Sequence, residues 1–356
     1  MRARHLPGVL VVVSAVALAT LQPPDPLLRA YATRFYPWLQ ATLTPLSNRT
    51  TLPLFDMTWM AVVLMAVAAW AWTLARAWRQ RRRRAALIGR AALVTLMTAA
   101  VLYVWFTAAW GWHYRRAGVE TMLPAFDGAA ATPAAVRALA ERAVAEATRL
   151  HEPAHAHGFP ALDAVPADLL ASFHRVEARL DKPASLVPST PKRPWTAPYM
   201  RAVGVSGMLA PFYLETYLNP DLTGPERPYV LAHEWAHLAG FAPEEDASFV
   251  GILAALDADV ASRYSAWLFL VMEAVGRLQP VTRDLVWPGL GAGPRDDLRA
   301  IAARNALRVP WLDRASWVAY DRAIKSQGAD EGVAGYGRVI ELLLGSGLLN
   351  QENQGR

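Results

Sequence analysis

Two long apolar runs constrain the fold of this chain more than any other feature. Residues 57–75 form 19 positions without a charge, and residues 91–110 form 20. At about 1.5 Å per residue, a helix of either length crosses the roughly 30 Å hydrocarbon core of a bilayer. A third run, residues 6–21, follows a basic start and is slightly short for a span. We therefore predict a membrane anchor over residues 1–112, with three transmembrane helices at about 6–21, 57–75 and 91–110.

Arginines between the second and third runs indicate the orientation of this anchor. Seven arginines and no acidic residue lie between Arg76 and Arg90. Short loops rich in arginine stay on the cytoplasmic side of a membrane. The third run then leads outward, so residues 113–356 are expected to form one domain outside the cytoplasm. Cleavage of the first run at Ala17-Leu18-Ala19 would leave this topology unchanged.

The charge distribution argues against a nucleic-acid partner. The net charge is +6, but without the seven loop arginines the chain would carry −1. The basic pI therefore reports a local cluster and no nucleic-acid surface, and the lipid bilayer is the expected partner. The chain has no cysteine, which excludes disulfides and cysteine-ligated zinc. A hydrophobic content of 54% agrees with a membrane part followed by one globular domain.

One short stretch, residues 230–240, contains the pattern H-E-x-x-H in a sequence that favours a helix. Positions i and i+4 share a helix face, so His233 and His237 can direct two imidazoles at one metal ion. Glu234 then lies beside the metal, where a carboxylate can accept a proton from a water molecule. The expected cofactor is Zn2+, and the expected reaction is hydrolysis.

A second H-E-x-x-H string occurs at His151-Glu152-Pro153-Ala154-His155. Pro153 lacks an N–H and its ring clashes with the carbonyl four residues back, so the preceding helix is expected to end near His151. The two histidines would then lie on opposite sides of a helix boundary. We therefore predict no metal site at this string. His157 permits a cluster in a loop, but no further residue supports one.

A two-histidine site needs another carboxylate or imidazole, with water at the fourth position. We call the predicted helix that carries His233 and His237 the metal helix. Gly240 suits the end of this helix, and a short turn then leads to a second helix, residues 244–258. That helix begins with Glu244, Glu245 and Asp246. Acids in a first turn also complement the helix dipole, so their presence alone does not identify a ligand. We expect one of the three to complete the site.

The remaining segments predict a mainly α (α+β) domain with a small sheet. Two short strands are expected before the metal helix, at 201–208 and 211–217, and a peptide can pair with the edge of such a strand. The proline-rich residues 22–56 are expected to form a loop. Capping residues and apolar periodicity predict further helices at 132–150, 166–180 and 261–278.

The metal helix, followed by a helix that begins E-x-x-A-small, resembles the gluzincin class of zinc peptidases. In that class the first glutamate of the second motif binds zinc, which implies Glu244 as the third ligand and a zincin-like fold. Ser248 stands where the class usually has aspartate or asparagine, and the gap after His237 is shorter than in many gluzincins. These departures leave Asp246 open as an alternative.

Another resemblance covers nearly the whole chain, which is similar to the bacterial membrane family known as domain of unknown function 3810. The family implies a bacterial membrane protein. With the orientation that the arginines indicate, we expect a multi-pass protein of the bacterial (inner) membrane with a periplasmic or extracellular C-terminal domain. The motifs that carry the resemblance are Tyr36-Pro37, Pro53-Leu54-Phe55-Asp56, Trp110-Gly111-Trp112-His113-Tyr114-Arg115-Arg116, Ser206-Gly207, Pro211-Phe212, Glu215, His233 to Phe249, Tyr320-Asp321 and Tyr336-Gly337-Arg338-Val339.

Together these features predict a membrane-anchored zinc metallopeptidase in which His233, His237 and Glu244 hold Zn2+ and Glu234 is the catalytic base. Its expected substrate is a peptide or protein of the cell envelope. One alternative is a non-hydrolytic, metal-stabilised domain that senses or binds an envelope partner. Another is that the histidines cap a core helix and bind no metal.

Overall fold

The computed structural model describes residues 6–20, 22–182, 185–327 and 338–351. This part of the chain is mostly helical, with a two-stranded antiparallel sheet. The expectation of a mainly α fold with a small sheet is therefore confirmed. The α-helices are α1 Leu6–Thr20, α2 Asp25–Ala30, α3 Tyr36–Ser47, α4 Leu54–Arg79, α5 Arg84–Ala109, α6 Pro133–His157, α7 Ala167–Arg179, α8 Ala197–Ala202, α9 Arg227–Leu238, α10 Glu244–Leu256, α11 Val260–Gly276, α12 Pro280–Val286, α13 Ala292–Asn305, α14 Pro310–Ser326, α15 Val339–Ser346 and α16 Leu348–Gln351.

The sheet is a short hairpin that comes directly before the metal helix. Strand β1 spans Gly207–Ala210 and strand β2 spans Glu215–Leu218, with Gly207 opposite Leu218. The strand expected at 201–208 is therefore displaced, because its first residues belong to α8. Both strands contact α9, so the hairpin lies over the metal helix.

Helices α4 and α5 form a long hairpin with an exposed apolar surface. Among the described residues, two helices are long and apolar enough to cross a membrane, Leu54–Arg79 with 26 residues and Arg81–Ala109 with 29. Only 6% of the apolar window of each is buried. The outer ends of both helices contact the globular half of the chain. The arginine-rich turn between them therefore lies at the opposite end, about 39 Å away.

Helix α1 packs along α5 but has only 15 residues. Arg115 Nη2 donates to the carbonyl oxygen of Leu18 at 3.0 Å, which brings the end of α1 to the end of α5. The two helices thus run in the same direction. The expectation of a third span at residues 6–21 continues to rest on the sequence.

Residues 22–56, expected to form a loop, are mostly helical, so that expectation is wrong. Pro26 and Pro37 lie in the first turns of α2 and α3, where no N–H is needed for an intrahelical bond. A π-helical turn, Tyr31–Phe35, joins the two helices. Pro45 lies inside α3 only one turn before it ends. Prolines therefore mark helix starts and ends here more often than loops.

Helices α10 and α11 form the centre of the globular half. Helix α10 is buried from Glu245 to Leu256, and its apolar residues face neighbours on all sides. Helix α6 packs along α11, α7 packs along α10, and α9 contacts both central helices. Trp235 and Tyr264 are the largest fully buried side chains contributed by α9 and α11. The buried helix expected at 261–278 is confirmed as α11.

Helix α6 passes through Pro153 and ends at His157, so the boundary expected near His151 is wrong. Ala154, the next residue, is fully buried, and α6 packs along α11. This packing sustains the last turns of the helix although one backbone N–H is missing. His151 and His155 consequently share a face, with ring centroids 4.3 Å apart.

Glu215 ties the apolar hairpin to strand β2. Its carboxylate accepts the backbone N–H groups of the first two residues of α4, at 3.2 and 3.0 Å, where the helix dipole favours a negative charge. Its Oε1 lies 2.5 Å from Nζ of the buried Lys192. In the other helix of the hairpin, α5, Trp105 Nε1 donates to the carbonyl oxygen of Phe212 at 3.1 Å. Both helices of the apolar hairpin, α4 and α5, are therefore bound to the β1–β2 region.

Candidate metal centre

Local sequence signals delimit the metal helix α9. Thr223 and Glu226 form a capping box before it, in which Glu226 Oε2 accepts the Thr223 backbone N–H at 2.9 Å. After the helix, Gly240 adopts a φ of +95°, a conformation that favours glycine. The chain then turns sharply into α10. The start of α10 consequently faces the C-terminal half of α9.

Three donor atoms meet between α9 and α10. His233 Nε2 lies 3.2 Å from Glu244 Oε2, and His237 Nε2 lies 3.4 Å from the same atom. The two imidazole rings are 4.7 Å apart and nearly perpendicular. Tetrahedral zinc with bonds of about 2.0–2.1 Å separates neighbouring donors by about 3.3 Å. The observed spacing therefore suits one divalent cation.

Contacts to the outer atoms of these three candidate ligands orient them. His237 Nδ1 lies 2.9 Å from the carbonyl oxygen of Phe241, so Nδ1 carries a proton and Nε2 is the nitrogen that faces Glu244. His233 Nδ1 lies 3.2 Å from Ser248 Oγ. Tyr320 Oη donates to Glu244 Oε1 at 2.6 Å and leaves Oε2 toward the histidines. Such outer partners are typical of metal ligands.

Of the three acids that begin α10, Glu244 lies against both imidazoles. Asp246 Oδ2 instead accepts the backbone N–H of Val119 at 2.9 Å, and burial raises the pKa of this carboxyl to about 8. Glu245 Oε1 lies 3.9 Å from Arg338 Nη1. The geometry thus favours Glu244 over the two alternatives, and its role as a metal ligand stays a prediction.

Glu234 lies beneath strand β1. Its side chain is buried, and burial raises the pKa of the carboxyl to about 8. Its Oε2 has no hydrogen-bond partner within the described chain. A buried carboxylate oxygen normally has a partner, so this atom suits a water molecule or a cation. A Cβ at Gly207 would come within 2.5 Å of Glu234 Oε1, so the glycine leaves room for the carboxylate.

The charges of the cluster depend on one another. Burial acts to raise the pKa of Glu244, but the two imidazoles outweigh burial and hold this pKa well below its ordinary value. Burial lowers the pKa of His233. Burial also acts to lower the pKa of His237, but the Glu244 carboxylate outweighs it and raises that pKa to about 9. The Glu244 carboxylate and the His237 imidazole thus favour each other's charged forms, and a bound divalent cation would supply a positive charge of the same kind.

A cleft of about 1040 Å3 opens in front of the cluster. Its walls come from β1, α9, α11, α13, α14 and the end of α5, so the apolar hairpin contributes directly to it. Arg304, near the end of α13, and Arg308, just after it, also line the cleft, and Arg304 is paired there with Glu226. Aromatic residues line much of the remainder: Phe106, Trp110, Tyr114, Tyr229, Phe269 and Trp317. The cleft is large enough for several residues of an extended peptide.

Residues from the first part of the chain support the end of the metal helix. Tyr36 Oη donates to the carbonyl oxygen of Leu238 at 2.9 Å, and Arg116 Nη1 donates to that of Gly240 at 3.1 Å. The buried ring of His113 packs edge-on against Tyr36, with centroids 4.2 Å apart. These side chains belong to widely separated motifs that converge behind α9.

Two outer contacts were not assigned from the sequence. Ser248 lies one helical turn after Glu244, so the i, i+4 spacing could have indicated that it faces the same metal helix. Tyr320 reaches Glu244 from α14, and no local pattern predicts that contact. Arg338 pairs with Glu245 and with Glu120, whose Oε1 lies 3.7 Å from its Nη2.

Comparison with known proteins identifies a family. Residues 31–344 match the family model described as "Protein of unknown function (DUF3810)". The chain belongs to the DUF3810 family. No curated protein and no solved structure gives a match. The DUF3810 region includes the apolar hairpin and the whole α9–α10 cluster, whereas the motif residues Tyr336-Gly337 lie outside the described residues.

Proposed function

We propose that this DUF3810 protein is a membrane-anchored, zinc-dependent metallopeptidase that cleaves peptides or proteins of the cell envelope. The observation that carries the proposal is the convergence of His233, His237 and Glu244 beside the buried, unpartnered Oε2 of Glu234. The first three would hold the Zn2+ ion. Two imidazoles and a carboxylate with a fourth position for water are the donor set of many catalytic zinc sites.

In this proposal the chain supplies a base, an orienting shell and a sheltered cleft. Zinc, when bound, supplies Lewis acidity toward water and a carbonyl group. Glu234 accepts the proton of the attacking water and returns it to the leaving amine. Beside a bound divalent cation, the Glu234 carboxyl would lose its proton more readily than burial alone allows, so its carboxylate form could act as the base at neutral pH. Tyr320 and Ser248 keep the ligands in place.

The position of β1 supports a peptide as substrate. The strand pairs with β2 on one side, and its other edge pairs with no strand among the described residues. An extended peptide can add to such an edge through main-chain hydrogen bonds. The strand lies directly over Glu234, so a peptide on this edge would hold a carbonyl near the cluster. We infer a zincin-like arrangement of strand, metal helix and third-ligand helix.

The apolar hairpin supports a location at the bacterial inner membrane. Helices α4 and α5 would cross the bilayer, with the arginine turn in the cytoplasm. The cluster lies at the other end of the hairpin, so the domain would face the periplasm or the exterior. The lipid bilayer is then a partner of the chain.

The decisive test compares the two glutamates of the two H-E-x-x-H strings. Full-length protein in nanodiscs, loaded with zinc, is incubated with casein as an unfolded general substrate, and new amino termini are counted. Glu234→Gln should retain zinc and lose hydrolysis by about 10²–10⁴-fold, because it removes the base. Glu152→Gln, at the exposed matching position, should leave both unchanged.

Two results would contradict the proposal. One is hydrolysis by Glu234→Gln at the rate of the unaltered protein. The other is a zinc-loaded, folded protein without hydrolysis of casein or of a mixed peptide library, which would favour a non-hydrolytic, metal-stabilised binding domain.

A further inference from the structure

The second H-E-x-x-H string has the geometry of a ligand pair. Because α6 continues to His157, His151 and His155 lie one turn apart on the same face. Their ring centroids are 4.3 Å apart and the ring planes differ by 38°. This pair therefore repeats the i, i+4 arrangement of the metal helix α9.

A carboxylate from a distant part of the sequence meets this pair. Asp297, on α13, places its Oδ2 2.9 Å from His155 Nε2 and 3.6 Å from His151 Nε2. These distances lie on either side of the roughly 3.3 Å between neighbouring donors of tetrahedral zinc. The three donor atoms all lie within 4.8 Å of one another, as do those of His233, His237 and Glu244.

The surrounding residues hold Asp297 and the two helices in this arrangement. Tyr264, from α11, donates from its hydroxyl to Asp297 Oδ2 at 2.5 Å. The backbone N–H of Gly291 donates to Thr148 Oγ1 at 2.9 Å and joins the start of α13 to α6. A Cβ at Gly293 would overlap the His151 ring, so the glycine permits the close approach of the two helices.

We propose that His151, His155 and Asp297 form a second metal site, for a divalent transition-metal cation such as Zn2+, Co2+ or Ni2+. Two imidazoles and one carboxylate favour these ions over Ca2+ and Mg2+, which prefer oxygen donors. The His155 side chain is 41% exposed, so a fourth position faces solvent. Glu152 is exposed and does not line the cleft in front of the first cluster, so the proposed site would bind a cation without a buried base for hydrolysis.

A cation at this site would restrain the wall of the cleft that α13 forms. It would join α6 to α13, and α13 also carries Arg304, whose Nη2 donates to Glu226 Oε1 at 2.6 Å. Glu226 belongs to the capping box of α9. Metal binding at the second site therefore restrains a wall of the cleft and the start of the metal helix, without contact with the first cluster.

The test counts metal equivalents in the full-length protein. Protein in nanodiscs is stripped with a chelator and titrated with Co2+, and binding is followed by visible absorption and by metal analysis after desalting. His155→Ala should bind one equivalent fewer than the unaltered chain. His157→Ala and His174→Ala, which remove other histidines of the same half, should bind as many equivalents as the unaltered chain.

The comparison remains informative if the first cluster binds no metal. The unaltered chain would then bind one equivalent and His155→Ala none, in place of two and one. The difference of one equivalent would still support the second site. Equal counts for the unaltered chain and His155→Ala would overturn the proposal.

A second variant guards against a folding defect in His155→Ala. Asp297→Asn keeps the size of the side chain and an acceptor for the Tyr264 hydroxyl but loses the charge. It should raise the Co2+ dissociation constant of this site at least tenfold, and Co2+ should no longer raise Tm by the few degrees expected for the unaltered chain. An unchanged dissociation constant in a folded Asp297→Asn protein would also overturn the proposal.

Discussion

The two H-E-x-x-H strings share a sequence pattern and differ in their surroundings. In the first, at α9, the glutamate is buried beneath a strand and beside a cleft; in the second, at α6, it is exposed. Both pairs of histidines face a carboxylate at distances that suit a cation. The pattern therefore determines ligand geometry through helical periodicity, whereas a base for hydrolysis also requires burial and a cleft.

The largest effect expected from this comparison concerns the third ligand of the α9 cluster. Glu244→Gln should weaken zinc binding there by more than the about 10–100-fold attributed to outer partners, because it removes a charged donor. Glu245→Gln changes the adjacent acid, which lies near Arg338, and should leave zinc affinity within a fewfold. Competition with a chromophoric chelator measures both. A larger loss in Glu245→Gln than in Glu244→Gln would show that the ligand is misassigned.

The glycines that lie against the two sites provide a second pair of variants for this comparison. Gly207→Ala should lower kcat about 10²-fold with zinc retained, because the new Cβ displaces the Glu234 carboxylate. Gly293→Ala should displace the His151 ring, weaken cation binding at the α6 site and change hydrolysis far less than Gly207→Ala does. Casein hydrolysis and Co2+ titration of each variant separate the two effects. A loss of hydrolysis in Gly293→Ala as large as that in Gly207→Ala would mean that the second site takes part in catalysis.

A smaller effect is expected from the tyrosine behind each carboxylate. Tyr320→Phe removes the hydroxyl that donates to Glu244, and Tyr264→Phe removes the one that donates to Asp297. Each should weaken cation binding at its own site about tenfold, because the outer hydrogen bond orients the ligand. Co2+ titrations of both variants should show no effect at the other site. Equal weakening of both sites by one variant would contradict independent binding.

The smallest effect concerns the proline that distinguishes the second string. Pro153→Ala restores a backbone N–H inside α6 and should increase the free energy of unfolding by about 1 kcal/mol, less than the roughly 3 kcal/mol for a central proline. Thermal unfolding of the metal-free protein measures this. Metal counts should not change. Destabilisation by Pro153→Ala would mean that the helix depends on the proline ring for packing.

The α9 cluster could be predicted from the sequence because its parts are local. Helical spacing brings His233 and His237 together, and the turn after Gly240 limits the third donor to the start of the next helix. The choice of Glu244 came from the gluzincin resemblance, since neighbouring acids in one turn differ only in the direction of their side chains. That direction depends on packing across α9 and α14, which no local pattern contains.

The α6 site could not be predicted for two physical reasons. The sequence shows the penalty of a helical proline, but it does not show that burial of Ala154 and packing on α11 outweigh this penalty. Asp297 lies 142 residues after His155, and nothing in the sequence around either residue indicates that they meet. The same reasoning applies to residues 25–47, which were expected to form a loop. Their prolines lie mainly in first helical turns, where proline does not break a helix.

The fastening of the apolar hairpin by Glu215 and Trp105 limits how a membrane-anchored form of this chain can reach other molecules. Phe106 of α5 lines the cleft, so this helix forms part of the cleft wall directly. In the proposed membrane-anchored peptidase, the cleft would therefore stay close to the lipid headgroups. A substrate would have to approach the bilayer surface to reach it, so the distance of a protein from the membrane would contribute to selectivity in addition to its side chains.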